Sequence, residues 1–172
     1  MKKVHTYQQS GFTLIELIVV MVILGILAAT ALPRFINMGG DARAASLNGA
    51  RGSLNSTVAM IHGRWLAGGT GVAGNVTVEG NLNVPVDARG FPTASAALLQ
   101  AAGIEAADYT TVNPGNTGAD GNTPTTSATQ IAIIPRSVAG SPTGATCFVR
   151  YTESTAAGAV PDISAAPAAA NC

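Results

Sequence analysis

The sequence predicts an α+β protein: a long N-terminal α-helix, half membrane element and half amphipathic, packed on a small antiparallel β-sheet head with a C-terminal disulfide loop. Three observations carry this expectation. An apolar run from Phe12 to Leu32 contains a single charge, Glu16. Behind it, apolar residues recur at helical spacing as far as Trp65. Beyond Ala67, short apolar stretches alternate with Gly-, Thr-, Ser- and Pro-rich ones, and the only two cysteines, Cys147 and Cys172, lie in this part.

The apolar run has twenty-one residues. At a rise of about 1.5 Å per residue a helix of that length covers roughly 31 Å, the thickness of a hydrocarbon core. Lys2 and Lys3 precede it, a bias that favours a cytoplasmic N-terminus and exports the rest. A secretory signal would have a shorter apolar region followed by a small-residue cleavage site, whereas here Pro33-Arg34-Phe35 follows. The expected cut lies before the run, after Gly11. Residues 1–11 are then a leader, and the helix over 12–33 stays on the mature chain.

Such a cut creates an amine at Phe12, within one helical turn of Glu16 and on the same side. An ionisable group in a membrane segment costs about 2.5–3.5 kcal/mol and is usually paired. The amine of the same chain or of a neighbouring helix can supply that partner. A shared polar group in a helical bundle fixes register at some cost in stability.

Past Pro33, Leu47, Ala50, Leu54, Val58, Ile61 and Trp65 follow the spacing of one helical stripe. The amphipathic half therefore spans 34–67, in one helix running from Phe12 to about Leu66. Pro33 lacks an amide hydrogen and should kink it, with Gly25, Gly39 and Gly40 weakening it further. Trp65 is expected as a core anchor against the sheet. His62 is expected in boundary packing, since no second exported histidine could share a metal.

The head spans 68–172, after a flexible break at 67–71. Val76-Thr77-Val78 and Leu82-Asn83-Val84-Pro85-Val86 read as a hairpin around Glu79-Gly80-Asn81, with Pro85 at an edge. A short helix fits 94–102, capped by Thr93 and stopped by Gly103. Residues 112–129 read as a surface loop, in which Asp120-Gly121-Asn122 supplies too few oxygens for the six to eight that calcium takes. Ile131–Ile134 and Cys147–Tyr151 are the clearest strands. In an exported domain the two cysteines are expected to be bridged rather than free, and without the bridge the Ala-, Pro- and Gly-rich tail over 156–170 should fray.

The net charge is zero but uneven. From Arg34 to Arg64 four arginines face one aspartate, a surplus of +3; beyond Ala67 three arginines face seven carboxylates, a deficit of −4. Either these are solvated faces, or they help dipolar subunits stack. No basic, aromatic-rich patch suits nucleic acid. One exported histidine and two cysteines cannot assemble a hydrolytic triad, so neither an enzyme nor a cofactor is expected.

Gly11-Phe12-Thr13-Leu14-Ile15-Glu16, followed by an apolar helix with Gly25 and Pro33, resembles the N-terminal signature of type IV pilins and the related pseudopilins. The short leader with phenylalanine first resembles the type IVa branch. Gly90-Phe91-Pro92 and Cys147-Phe148-Val149-Arg150-Tyr151 resemble the mannose-sensitive haemagglutinin pilins. The resemblance covers Gly11 to about Leu66 closely and the head in outline. It implies the type IV pilin fold and cleavage after Gly11 by a membrane aspartyl prepilin peptidase, followed by N-methylation of Phe12. Assembly roles are implied for Phe12, Thr13, Glu16, Gly25 and Pro33, with the 25–33 segment able to lose helicity in a filament. A Cys147–Cys172 disulfide would enclose a C-terminal surface region.

The implied partners are further copies in a helical homo-polymer, the inner membrane before assembly, the peptidase and the pilus assembly machinery. The implied function is a pilus subunit on the bacterial surface, serving adhesion, motility or biofilm formation. Two alternatives stand beside it. One is a pseudopilin of a type II secretion system; the other is a glycan- or surface-binding adhesin head, for which Tyr109 and Tyr151 are the only head tyrosines.

Overall fold

The structure is a computed structural model that describes residues 11–36, 38–68, 72–156 and 159–172, and of residues 32–36 the backbone alone. Residues 1–10 of the leader expected over 1–11 and most of the break expected at 67–71 lie outside the described residues. The chain divides into two compact units between Met38 and Gly39.

The first unit is built on helix α1, Leu14–Ile36. Its Leu-, Ile- and Val-rich window Leu14–Ala31 has a mean hydropathy of 2.7. The large side chains from Leu14 to Leu27 are between 49% and 75% exposed, so this apolar surface is not spent on a core of its own. Thr30 hides its hydroxyl by donating to Leu27 O at 3.0 Å and Ile26 O at 3.3 Å, a local bond that keeps a polar group tolerable on an apolar helix. The helical backbone runs through Gly25 and Pro33 as far as Ile36.

All but the first residue of helix α2, Met38–Gly68, belongs to the second unit. The long helix expected over 12–66 is thus described as α1 and α2, with Asn37 outside the described residues. Leu47, Ala50, Leu54, Val58 and Ile61 are buried, as their spacing requires. They share one core with a four-stranded antiparallel sheet, β3 (Tyr109–Val112), β4 (Gln130–Pro135), β5 (Val149–Thr152) and β6 (Asp162–Ile163), arranged in chain order. The pairing sets Thr110 opposite Ile134, Ile133 opposite Val149, Ile131 opposite Tyr151 and Tyr151 opposite Ile163. Every residue of β4 from Ile131 to Pro135 is buried; a strand covered on both faces reads as a continuous apolar run.

The hairpin forms as expected, with β1 (Gly74–Val78) antiparallel to β2 (Leu82–Val86). Gly80 and Asn81 turn it at φ +74° and +62°, the left-handed region that these residue types tolerate. Pro85 faces Asn75 in a sheet of only two strands, where its missing N–H costs nothing. The short helix α3 spans Ala96–Ala101, two residues shorter at its start than expected. Ser95, not Thr93, is the cap: its Oγ accepts from the Leu98 N–H, while the Thr93 hydroxyl donates to Pro85 O. Gly103 ends the helix at φ +68°.

Two further expectations are corrected. Val112 belongs to β3, a strand that the polar sequence Tyr109-Thr110-Thr111 concealed. β5 begins at Val149, because Cys147 is held at the bridge. Trp65 packs against the core as expected but is only half-buried, with its indole lying over Gly90. A Cβ at Gly90, where φ is +82°, would come within 2.2 Å of the indole. The indole N–H donates to Val72 O at 3.1 Å, and His62 stacks on Phe91 at 4.0 Å.

Candidate assembly and processing site

Gly11 and Phe12 precede α1, and Phe12 is 92% exposed. Thr13 is the residue before the first helical position and Glu16 the third helical one. The Glu16 Oε2 accepts from the Thr13 N–H at 2.9 Å and from its hydroxyl at 2.7 Å, while Thr13 Oγ1 faces the Glu16 N–H at 3.4 Å. This is a capping box, which satisfies free donors at a helix start. The signal was present as Thr-x-x-Glu, but the apolar surroundings drew attention to charge instead. Among the described residues Oε1 takes no bond. Phe12 carries a peptide nitrogen in the uncut chain, so pairing with Glu16 requires the terminus that cleavage would create.

Gly25 stands in open space, with nothing within 4 Å of a Cβ built on it. A smooth apolar surface interrupted by one glycine can approach another helix closely. Pro33 lies within α1.

At the other end of the chain, Cys147 and Cys172 are bridged, with S–S 2.01 Å. The tail between them is strapped down rather than loose. β6 pairs with β5, Arg51 Nε donates to Ile163 O at 3.4 Å, Thr146 Oγ1 to Asn171 O at 2.8 Å and Arg43 Nε to Cys172 O at 2.5 Å. Two arginines of the basic stretch thus hold backbone carbonyls. Their part was not readable from charge counts, which do not show direction.

A second tie joins the segment after β2 to the one after β5. Arg89 pairs with Asp87 at 2.5 Å and donates to Ser154 Oγ, Ser154 O and Ala156 O. Glu153 accepts from the Ala94 N–H, and the Tyr151 hydroxyl donates to Pro92 O. Burial pushes the Asp87 carboxyl up, but the Phe91 N–H and the Arg89 guanidinium outweigh it and leave the pKa below its ordinary value. Burial, then the nearby Glu153 and Asp87, push the Tyr151 hydroxyl well up. Tyr151 is fully buried and so cannot stack on a sugar, and the Tyr109 hydroxyl is bonded to Ser46 at 2.6 Å. In the polar loop, Asp120 Oδ1 accepts from Thr123 Oγ1, Asn122 N and Thr123 N, which is turn chemistry.

Residues 7–32 match the family described as the prokaryotic N-terminal methylation motif. The chain is 44% identical over 50 residues to the type IV narrow pilus major component PilA5 of Thermus thermophilus, covering 29% of this chain and 43% of that protein. It is 36% identical over 95 residues to a fimbrial protein of Neisseria meningitidis, covering 52% and 56%. It is 52% identical over 54 residues to the type II secretion system core protein G of Pseudomonas aeruginosa, covering 31% and 36%. These matches span less than two thirds of each relative's length. No solved structure matches the chain.

A methylation motif on an exposed apolar helix, ahead of an α+β unit with a C-terminal disulfide, is the set of features that a prepilin-type structural protein would carry. The motif and the relatives make the matched part of this chain similar to type IV pilins and to a secretion-system core protein, and its fold is consistent with that of a type IV pilin. The motif and the apolar helix fit a membrane-anchored precursor.

Proposed function

We propose that this chain is a structural subunit that polymerises into an extracellular type IV pilus and supports surface adhesion. The observation that carries the reading is α1, whose large apolar side chains from Leu14 to Leu27 stand exposed while its one carboxylate is bonded, among the described residues, only within its own first turn. Exposed apolar surface of this extent calls for a lipid or protein partner. A membrane before assembly and a bundle of like helices afterwards both supply one.

In this reading residues 1–11 are a leader removed after Gly11 by prepilin peptidase, and Phe12 becomes the N-methylated terminus. Residues 12–33 form the membrane and filament-core helix, 34–67 the amphipathic half and 68–172 the head. Glu16 then receives the Phe12 amine of an adjacent subunit through Oε1, with Thr13 steadying Oε2. The assembly machinery and the inner membrane are its partners before export.

The test is to shear fibres from cells and sequence their main protein by mass spectrometry. A chain beginning at N-methyl-Phe12 in the sheared fraction supports the reading, and one beginning elsewhere overturns it. The match to a secretion-system core protein favours a pseudopilin as the second reading. Finding the chain in the envelope alone would select it.

A further inference from the structure

One groove in the second unit is left unfilled by the described residues. It holds about 490 Å³ and is lined by Met60 and Arg64 of α2, Val78, Glu79 and Leu82 of the hairpin, and Gln100 of α3. Met60 is 58% exposed there, and Val78 and Leu82 are half-buried. Arg64 and Glu79 are exposed, and neither makes an ion pair among the described residues. The other two arginines of α2 donate to tail carbonyls; Arg64 has no such acceptor among them. A groove with apolar walls, edged by an exposed cation and an exposed acid that do not pair with each other, suits a segment carrying a bulky apolar residue close to an acid that can reach Arg64.

The same unit presents such a segment. Val160 is 72% exposed just ahead of β6, and Asp162, two residues on, is exposed and makes no ion pair among the described residues. Pro161 between them restricts the backbone, so little freedom is lost when the segment is bound. Asp162 is further held by pairing with Thr152, and the strand alternation that buries Ile163 turns Asp162 outward.

We propose that Val160 of one copy seats in the Met60–Val78–Leu82 groove of a second copy, with Asp162 pairing to Arg64. The proposal rests on the filament reading above. Glu79 accepts a backbone N–H from the incoming segment and keeps Asp162 on the Arg64 side by repulsion. A groove and its plug at different places on one surface make a heterologous contact, which extends rather than closes. The wider charge pattern acts in the same sense: the +3 stretch carrying Arg64 attracts the −4 stretch carrying Asp162.

The test places a photo-crosslinking amino acid at Val160 of the full-length chain in cells, followed by shearing and irradiation of the fibres. The expected product is a dimer-sized band whose joined peptides contain Met60, Val78 or Leu82. In that background Arg64→Glu and Asp162→Arg should each lower the cross-link yield about two- to fivefold, the worth of an exposed ion pair, and the two together should restore it. Fibres that cross-link elsewhere, to another protein or not at all overturn the contact alone, as does failure of the double variant to recover. Wild-type cells without fibres containing this chain overturn the filament reading and the contact with it.

Discussion

Thr13 and Glu16 satisfy each other across the first turn of α1: one carboxylate oxygen takes both the N–H and the hydroxyl of Thr13, and the hydroxyl oxygen faces the Glu16 N–H. The acid in the apolar helix is therefore half-solvated by its own chain before any neighbour arrives. That lowers the cost of carrying it through a bilayer and leaves its second oxygen for assembly. Thr13→Val keeps the shape and removes the hydroxyl, at the usual cost of about 1 kcal/mol for a lost cap. The variant should be cut at Gly11 as before yet yield fewer fibres than wild type, and Thr13→Ser should recover them. Fibre mass per cell after shearing is the measurement.

Removing the acid itself tests pairing rather than capping. Glu16→Ala should still be processed, because the residues around the cut are untouched, but should assemble much worse than Thr13→Val. Normal fibres from Glu16→Ala would dispose of the pairing argument. Gly11→Val, by contrast, should leave an uncut precursor, visible as a heavier band in the membrane fraction.

Gly40 is fixed by contact rather than by conformation. A Cβ there would lie 2.4 Å from the carbonyl oxygen of Ala169, and that oxygen belongs to a backbone already held by the strap. Gly40→Ala should destabilise the protein by about 1–3 kcal/mol, the range of overpacking. Gly49→Ala, on the same helix with nothing within 4 Å, should instead stabilise it by roughly 0.5–1 kcal/mol. Opposite shifts in thermal midpoint in detergent solution are the expected signature, and equal shifts would contradict the contact.

The contrast between those glycines shows where sequence reasoning stops. The stripe from Leu47 to Ile61 and the β1–β2 hairpin were legible because each buries a face with its own period, and the apolar run and β4 because each is continuously apolar. β3 was not, since its pairing with β4 is set by the partner and not by its threonines. β6 was hidden for the same reason in a tail of alanines and prolines. At the site, Gly11, Phe12 and Glu16 stood out by position. The capping role of Thr13 was legible in principle, as a spacing. The carbonyl contacts of Arg43, Arg51 and Arg89 were not, because they link residues far apart in the chain through backbone atoms that composition does not report.

The strap also sets an expectation for reduction. The bridge from Cys147 to Cys172 closes a loop of twenty-six residues, worth about 3.5 kcal/mol in the loop-entropy model. Reductant should lower stability by up to that amount, and protease should then cut the tail near Ala168 before it cuts α2. The pairing of β6 and the Arg43 bond slow that opening without preventing it.

Acid should weaken the tie at Asp87 in a defined direction. Its folded pKa lies below the ordinary value of 3.8, so the folded state holds its charged form more tightly than the unfolded chain does. The stabilisation is fully present above the ordinary value and is lost as the pH falls through the folded one. Stability should therefore be flat from pH 7 to about pH 5 on this account and should drop below about pH 4. Asp120, held low by Thr123 and Asn122, titrates in the same sense, so only the difference between wild type and Asp87→Asn isolates the tie. Asp87→Asn should lower stability at neutral pH by about 1 kcal/mol, the scale of a partly exposed ion pair, or a few degrees in midpoint for a chain of this size. As the pH falls through the folded pKa, which lies below 3.8, the two proteins should converge, because the wild-type carboxyl then becomes neutral as well. A constant gap across the whole range would mean that Asp87 acts through shape alone, with Arg89 gaining nothing from its charge.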